Sequence, residues 1–247
     1  MKVVTLNIWG GSVRVPLLDF FRQYADVDVF CLQEVYHQST GKISTDGRFC
    51  SLSIFDDIAA SLPDHIGFFR PIVGGIYGLA MFVHKAVTVI EEGDILIHEE
   101  PEYTGTGPAH PRNMQWMRCQ LAGHLYAILN VHGLWNGQGK TDTPARLAQS
   151  MRIKTAMAQF KEPLILCGDF NLRPDTQSLA IIAENMQDWV KQYGVTCTRT
   201  SLYTKPERFA DYIFTSDSIQ VRGFQVLPEE VSDHAALWVD CVYTPHT

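Results

Sequence analysis

Apolar runs rich in branched and aromatic residues recur along the chain, and the most telling of them border short polar insertions. Val3-Val4-Thr5-Leu6 runs into Asn7, and the run Val27-Asp28-Val29-Phe30-Cys31-Leu32 ends at Gln33-Glu34. Pro163-Leu164-Ile165-Leu166-Cys167 leads to Gly168-Asp169-Phe170-Asn171, while Ser232-Asp233-His234 precedes Ala235-Ala236-Leu237-Trp238-Val239. Short apolar stretches bounded by turn formers predict buried strands. A strand end holds a carboxylate or imidazole firmly yet leaves it at the rim of the sheet, where a rigid site is best built.

Other segments follow different periods. Leu17, Leu18, Phe20, Phe21 and Tyr24 fall on helical spacing and predict a helix over 16–24, with a second over 55–62 ending before Pro63. Thr143 reads as an N-cap with Pro144 in the first helical position of a helix running to about Phe160. Asp175 is expected to cap another over 178–186. Further strands are predicted over 78–84, 114–121, 125–131, 212–215 and 235–243, those over 114–121 and 125–131 joined by a tight turn at Ala122-Gly123-His124. Two stretches, 36–53 and 91–112, fit neither period and are expected to be irregular loops that shape access to a site.

The residues at the strand ends narrow the chemistry. One Glu, two Asp, two Asn and one His offer mostly hard oxygen donors, a set suited to Mg2+ or Mn2+ rather than to zinc, which takes more His or Cys. Asp169 and Asn171 alternate, so an extended backbone would turn both toward one face, a carboxylate to take a proton from water and an amide to hold it. Glu34 is the leading candidate for direct metal ligation, and Asn7 can ligate or orient beside it.

With His132 in Leu129-Asn130-Val131-His132-Gly133 and Asp211 in Asp211-Tyr212-Ile213-Phe214, the ordered set from Asn7 to His234 resembles the metal-dependent endonuclease/exonuclease/phosphatase superfamily. No single motif would suffice; their order and spacing carry the likeness. The resemblance implies a four-layer α/β/β/α sandwich of two mixed sheets with helices on the outer faces, formed by residues 1–247 as one catalytic domain. It implies a divalent-metal-dependent phosphate-ester hydrolase with Asn7, Glu34 and Asp233 at the metal. The catalytic set would be His132, Asp169, Asn171, Asp211 and His234, Asp211 holding His234 in position. Arg112 and Asn113 stand where such proteins place phosphate-contacting groups. This chain departs from many relatives in following the histidine with Gly133 and a Gly-rich loop through Lys140, which could set Trp135 or Lys140 against substrate. The remaining histidines, His110 among them, are expected to be structural or on the surface.

Composition then bears on the substrate. The net charge is −7 and Lys and Arg form no dense run, so the footprint of a protein that grips long duplex is missing. A phosphodiester at a nucleic-acid end or lesion, or a nucleotide-like ester, leads. A small-molecule or lipid-headgroup phosphate is the alternative, and a catalytically silent binding relative would need a motif residue lost. The 46% apolar share is that of an ordinary globular protein, and no basic leader or long apolar span is visible. A cytoplasmic protein without an obligate protein partner is expected, its six cysteines reduced.

Overall fold

A computed structural model describes residues 1–39, 42–45, 48–105, 107 and 109–244. Parts of the two segments expected to be irregular, and His246, lie outside the described residues. The first half of the chain forms β1 (Lys2–Asn7), α1 (Arg14–Gln23), β2 (Val29–Tyr36), β3 (Lys42–Thr45), β4 (Arg48–Ser51), α2 (Ile54–Ser61), β5 (His65–Val73), β6 (Tyr77–His84) and β7 (Thr88–His98). The second half forms β8 (Arg112–Leu121), β9 (His124–His132), α3 (Pro144–Met157), β10 (Leu164–Asp169), α4 (Gln177–Ala183), β11 (Gln187–Asp188), α5 (Trp189–Gln192), β12 (Asp211–Thr215), β13 (Ile219–Val226) and β14 (Leu237–Tyr243).

Two six-stranded mixed sheets result, ordered β13-β14-β1-β2-β6-β5 and β11-β12-β10-β9-β8-β7. Each contains one parallel pair, β1 with β2 and β10 with β9. Alternation sorts the side chains. In β1 and β2, Val3, Val29 and Cys31 face the second sheet, whereas Val4, Leu6, Phe30 and Leu32 face α1 and α2. On the far side of the second sheet, Ile153 and Ala156 of α3 and Leu179 and Ile182 of α4 join the same core. The layers are therefore helix, sheet, sheet, helix, as the resemblance implies. Each fully buried Leu or Phe in them contributes about 1.5–3 kcal/mol relative to exposure.

One patch between the sheets is polar. Gln33 Nε2 donates to Thr5 Oγ1 at 3.1 Å and across to Asn130 Oδ1 at 2.7 Å, and Asn130 Nδ2 donates back to the Leu32 carbonyl at 3.1 Å. Buried amides without partners would be costly, so these bonds fix how the two sheets sit on one another.

Several local expectations are met. Leu17, Phe20 and Phe21 bury one face of α1. Thr143 caps α3 by accepting from Arg146 N, with Pro144 in its first turn. Cys31, Cys119, Cys167, Cys197 and Cys241 are free thiols. Other expectations are corrected. Asp175 pairs with Arg173 in solvent, and Thr176 caps α4 instead, accepting from Leu179 N. α4 stops at Ala183 rather than Met186, where Asn185 takes φ +63°. The two stretches expected to be irregular contain the β3–β4 hairpin and most of β7. β7 is an edge strand with acidic residues and register shifts, features that hide a strand's period. Among the described residues no helix is long and apolar enough to cross a membrane.

Candidate active site

The strand ends named from sequence meet at one end of the seam between the sheets. On the first sheet, neighbouring strands bring Asn7 at the end of β1, Glu34 within β2 and Tyr77 at the start of β6, with Asp233 and His234 just ahead of β14. On the second, Asp211 opens β12, Asp169 closes β10, His132 closes β9 and Arg112 opens β8. Two facing rows of polar side chains thus converge from strands with opposite directions.

Three backbone features shape the rows. Glu34 has φ +58° at a bulge where the β2–β6 register shifts between Leu32 and Val35, turning its carboxylate out of the strand's alternation. Gly168 has φ +140°, and a Cβ there would lie 2.0 Å from the Val131 carbonyl oxygen, so this approach of β10 to β9 requires glycine. Asn171 does not reach the site by extended alternation. The strand ends at Asp169, and Asn171 turns back at φ +53° with its N–H donating to Asp169 Oδ1 at 2.9 Å and its side chain to the Gly133 carbonyl at 3.2 Å.

Asp169 is at the centre. Asn7 Nδ2 donates to Asp169 Oδ2 and to Glu34 Oε1, both at 3.0 Å, while its Oδ1 accepts from Trp9 N at 3.0 Å. That last bond faces the amide's nitrogen toward the carboxylates, so Asn7 holds them as placed. His132 Nε2 lies 3.7 Å from Asp169 Oδ2 and 4.0 Å from Glu34 Oε1. His234 Nε2 lies 3.6 Å from the same Asp169 oxygen and 4.0 Å from Asp233 Oδ1. The other ring nitrogen of His234 bonds Asp211 at 2.8 and 3.0 Å, and Thr198 Oγ1 donates to Asp211 Oδ2 at 3.1 Å. Ser232 ties this segment to β1 by donating to the Asn7 carbonyl at 2.6 Å.

Electrostatics divide the groups. Burial by itself raises the Asp169 carboxyl, but His234, Lys140, His132 and Arg199 outweigh it and hold Asp169 below the ordinary carboxylate range. It is an anion able to accept a proton or meet a cation. Glu34 is raised, chiefly by desolvation, with Asp233 and Asp169 adding repulsion against the Asn7 bond. Burial and then Arg112 push the His132 imidazole well down, leaving it neutral near pH 7.

The cleft above these rows encloses about 970 Å3. Its walls include Trp9, Tyr36, Tyr77, Tyr103, His110, Trp135 and Tyr203, far more aromatic than the motifs alone suggested. Arg112 is 3% exposed and lines the cleft, and its Nε and Nη1 have no hydrogen-bond partner among the described residues. Asn113 is not brought to the site: the next residue of the strand turns to the other face, where its amide donates to Asp94 Oδ2 at 3.1 Å. His110 was not expected here. It lies against Tyr77 and Tyr103, its imidazole pushed down to about 3 by burial and by Arg112. Trp135 lines the mouth beneath the Lys205 ammonium, 5.3 Å from the ring centre.

A divalent cation fits this arrangement on two grounds. Glu34, Asp169 and Asp233 direct mutually repelling carboxylates into one cleft, a cost that a cation among them would remove. Separately, Asp169, Asp211 and His234 offer ligand atoms all within 4.8 Å of one another. The second group is less open than it looks, since Asp211 and His234 already spend their facing atoms on each other.

Comparison with known proteins agrees with this geometry. The sequence profile of the Endonuclease/Exonuclease/phosphatase family matches residues 4–234. Among solved structures, the mannosyl-6-phosphatase Bt3783 of Bacteroides thetaiotaomicron VPI-5482 superposes with a TM-score of 0.74 at 21% identity, covering 98% of this chain and 100% of that one. The human Nocturnin catalytic domain with bound sulfate gives 0.74 at 20%, covering 99% and 93%. TDP2 of D. rerio, complexed with a single-strand DNA product, gives 0.73 at 16%, covering 98% of each chain. No match was found among curated protein sequences.

Proposed function

The chain belongs to the endonuclease/exonuclease/phosphatase family, and from that premise we propose that it is a divalent-metal-dependent phosphohydrolase acting on phosphodiesters at nucleic-acid ends or on nucleotide-like esters. The observation that carries the reading is Asp169, an anionic carboxylate fixed by Asn7 and Asn171 with two imidazole nitrogens within 3.7 Å. Glu34 and Asp233, with Asn7 positioning Glu34, would hold Mg2+ or Mn2+; when bound, that ion polarises a phosphoryl oxygen and steadies the leaving oxygen.

The chain's own residues supply the rest. Asp169 takes the proton of the attacking water, and the Asn171 turn keeps its second oxygen occupied so that one oxygen faces the cleft. His234, its orientation set by Asp211, presents Nε2 to the phosphoryl group. His132 faces the same position from the second sheet and donates a hydrogen bond without carrying charge of its own. Arg112 brings a guanidinium whose Nε and Nη1 have no partner among the described residues, a group that suits a phosphate oxygen.

A small-molecule phosphate ester is the second reading, favoured by the cleft itself. Its volume and aromatic walls suit a compact ligand, and the likeness to a mannosyl-6-phosphatase is compatible with it. Both readings are tested by one panel: single-stranded and duplex DNA, abasic duplex, RNA, a 5′-tyrosyl end, sugar and inositol phosphates, sphingomyelin and a chromogenic diester. Turnover must require Mg2+ or Mn2+, stop with EDTA and be lost in Asp169→Asn. Full activity in EDTA, or in that variant, would overturn the proposal.

A further inference from the structure

The Gly-rich loop after His132 is held far more tightly than its composition suggests. The Arg146 side chain, within a residue only 1% exposed, donates to the carbonyls of Gly139 and Thr141, both at 2.6 Å, and to that of Leu134 at 3.3 Å. The Lys140 carbonyl accepts from Arg173 N at 3.0 Å. Just beyond, Asp142 accepts from Gln177 N and Ser178 N at the start of α4, both at 2.8 Å. Lys140 is thus anchored from both sides of the chain and through its own backbone.

What this anchoring delivers is a buried charge with nothing to bond. Lys140 is 2% exposed, lines the cleft, and its Nζ has no hydrogen-bond partner among the described residues. Beside it Arg199 lies with its guanidinium 4.0 Å above the Tyr203 ring centre and Nη1 3.7 Å from Asp233 Oδ2, and neither its Nε nor its Nη1 makes a hydrogen bond with a described residue. The backbone of Arg199 bridges to His234, which puts this pair on the Asp211–Asp233 side of Asp169. The carboxylates of Asp169 and Asp233 attract these two cations, yet the cations repel each other and their idle donors forfeit water's bonds. A tetrahedral oxyanion between them would offset both costs, because each cation can take its own oxygen.

We propose that Lys140 and Arg199 form an anion clamp that binds the phosphoryl group of the ester being cleaved. This rests on the hydrolase reading above for the identity of the anion, though not for the clamp itself. Glu34, Asn7 and Asp233 serve the metal; Lys140 and Arg199 grip the phosphoryl oxygens from the His234 side, so substrate phosphate binds there before and during attack. Arg146 acts through the loop as a positioning residue.

The clamp can be tested apart from turnover, by calorimetric titration of inorganic phosphate into the protein with EDTA and again with Mg2+. Wild type is expected to bind phosphate in both, and Lys140→Met and Arg199→Met to weaken it by about ten- to hundredfold, the range for losing one charge-assisted bond. Lys140→Arg should recover part of the affinity. Thermal melts of each variant establish folding first. On any ester the wild type hydrolyses, Lys140→Met should lower kcat/KM by a similar factor while the Mg2+ concentration for half-maximal rate stays unchanged. Phosphate affinity equal to wild type in a folded Lys140→Met, or no phosphate binding by wild type in either condition, would overturn the clamp. Lys140-dependent phosphate binding without turnover of any ester would instead overturn the hydrolase reading and leave the clamp standing.

Discussion

Asp211→Asn separates orientation from metal binding at this site. In the wild-type structure the Thr198 oxygen accepts from Ala210 N and Asp211 N, at 3.1 and 3.3 Å, so its one hydrogen is directed to Asp211 Oδ2. The other carboxylate oxygen, Oδ1, lies 2.8 Å from His234 Nδ1, which is therefore the donor. Asparagine has one oxygen. If that oxygen stays on Thr198, an NH2 group faces an N–H, and His234 must take its other tautomer or swing away from Asp169. Losing a charge-assisted hydrogen bond of this kind costs about 1.5–3 kcal/mol, or roughly ten- to 150-fold in kcat/KM if the bond is fully used in the transition state. The assay is steady-state kcat/KM with Mg2+ titrated at each substrate concentration, beside a thermal melt to confirm that the isosteric change leaves the fold intact. A folded variant within about threefold of wild type would refute the reasoning. So would a rate restored by excess Mg2+, which would make Asp211 a ligand within the Asp169–Asp211–His234 group.

Glu34→Gln keeps the shape but removes a charge from the proposed metal side, so it should raise the Mg2+ concentration for half-maximal rate by at least about tenfold, measured in the same titration; an unchanged requirement would place the ion elsewhere. Arg146→Met takes two 2.6 Å bonds from the loop carbonyls. It should speed amide exchange over 133–142, seen by hydrogen–deuterium exchange, and lower kcat/KM toward that of Lys140→Met. Stability at the fold's other end should depend on His65, whose Nε2 bonds the Val27 carbonyl at 2.8 Å and whose pKa is lowered by burial from 6.5. The unfolded chain then binds the proton more readily, so this contribution is complete above pH 6.5 and declines as pH falls below it. Urea melts at pH 7 and 5.5 should show His65→Gln losing less stability on acidification than wild type does.

The sheet centres and the chemistry of their ends could be read from sequence because both leave local marks. β1, β2 and β10 are built on apolar runs that give way within two residues to Asn7, Glu34 and Asp169, side chains that line or brace the cleft. β5, β7 and β13 could not be read in this way: all three lie at sheet edges, where Pro71, Glu91–Glu92 and Gly223 interrupt the alternation at or near register shifts. Glu34 was legible as a residue of the candidate site, and it does line the cleft, but its bulge was not legible, since nothing in Leu32-Gln33-Glu34 announces a positive φ. Tyr77, His110 and Arg199 were missed for a different reason. None belongs to a strand-end motif: Tyr77 and Arg199 are distant in sequence from all of them, His110 lies two residues ahead of Arg112, and all three reach the cleft only through the way the strands are ordered. Periodicity carries no record of that adjacency.

β1 lies between β2 and β14, one neighbour made soon after it and the other almost at the end of the described chain. On a ribosome, its second edge stays unpaired until β14 emerges, and Asn7 and Glu34 wait for Asp169 and then His234. At about 5–20 residues per second the interval from Glu34 to His234 is roughly 10–40 s. Throughout it the growing chain carries the Asn7–Glu34 half of the cleft and an open strand edge, without His234. Completion of the cleft is therefore delayed by chain order, and it is the early strand's exposed edge that a nascent copy would need shielded.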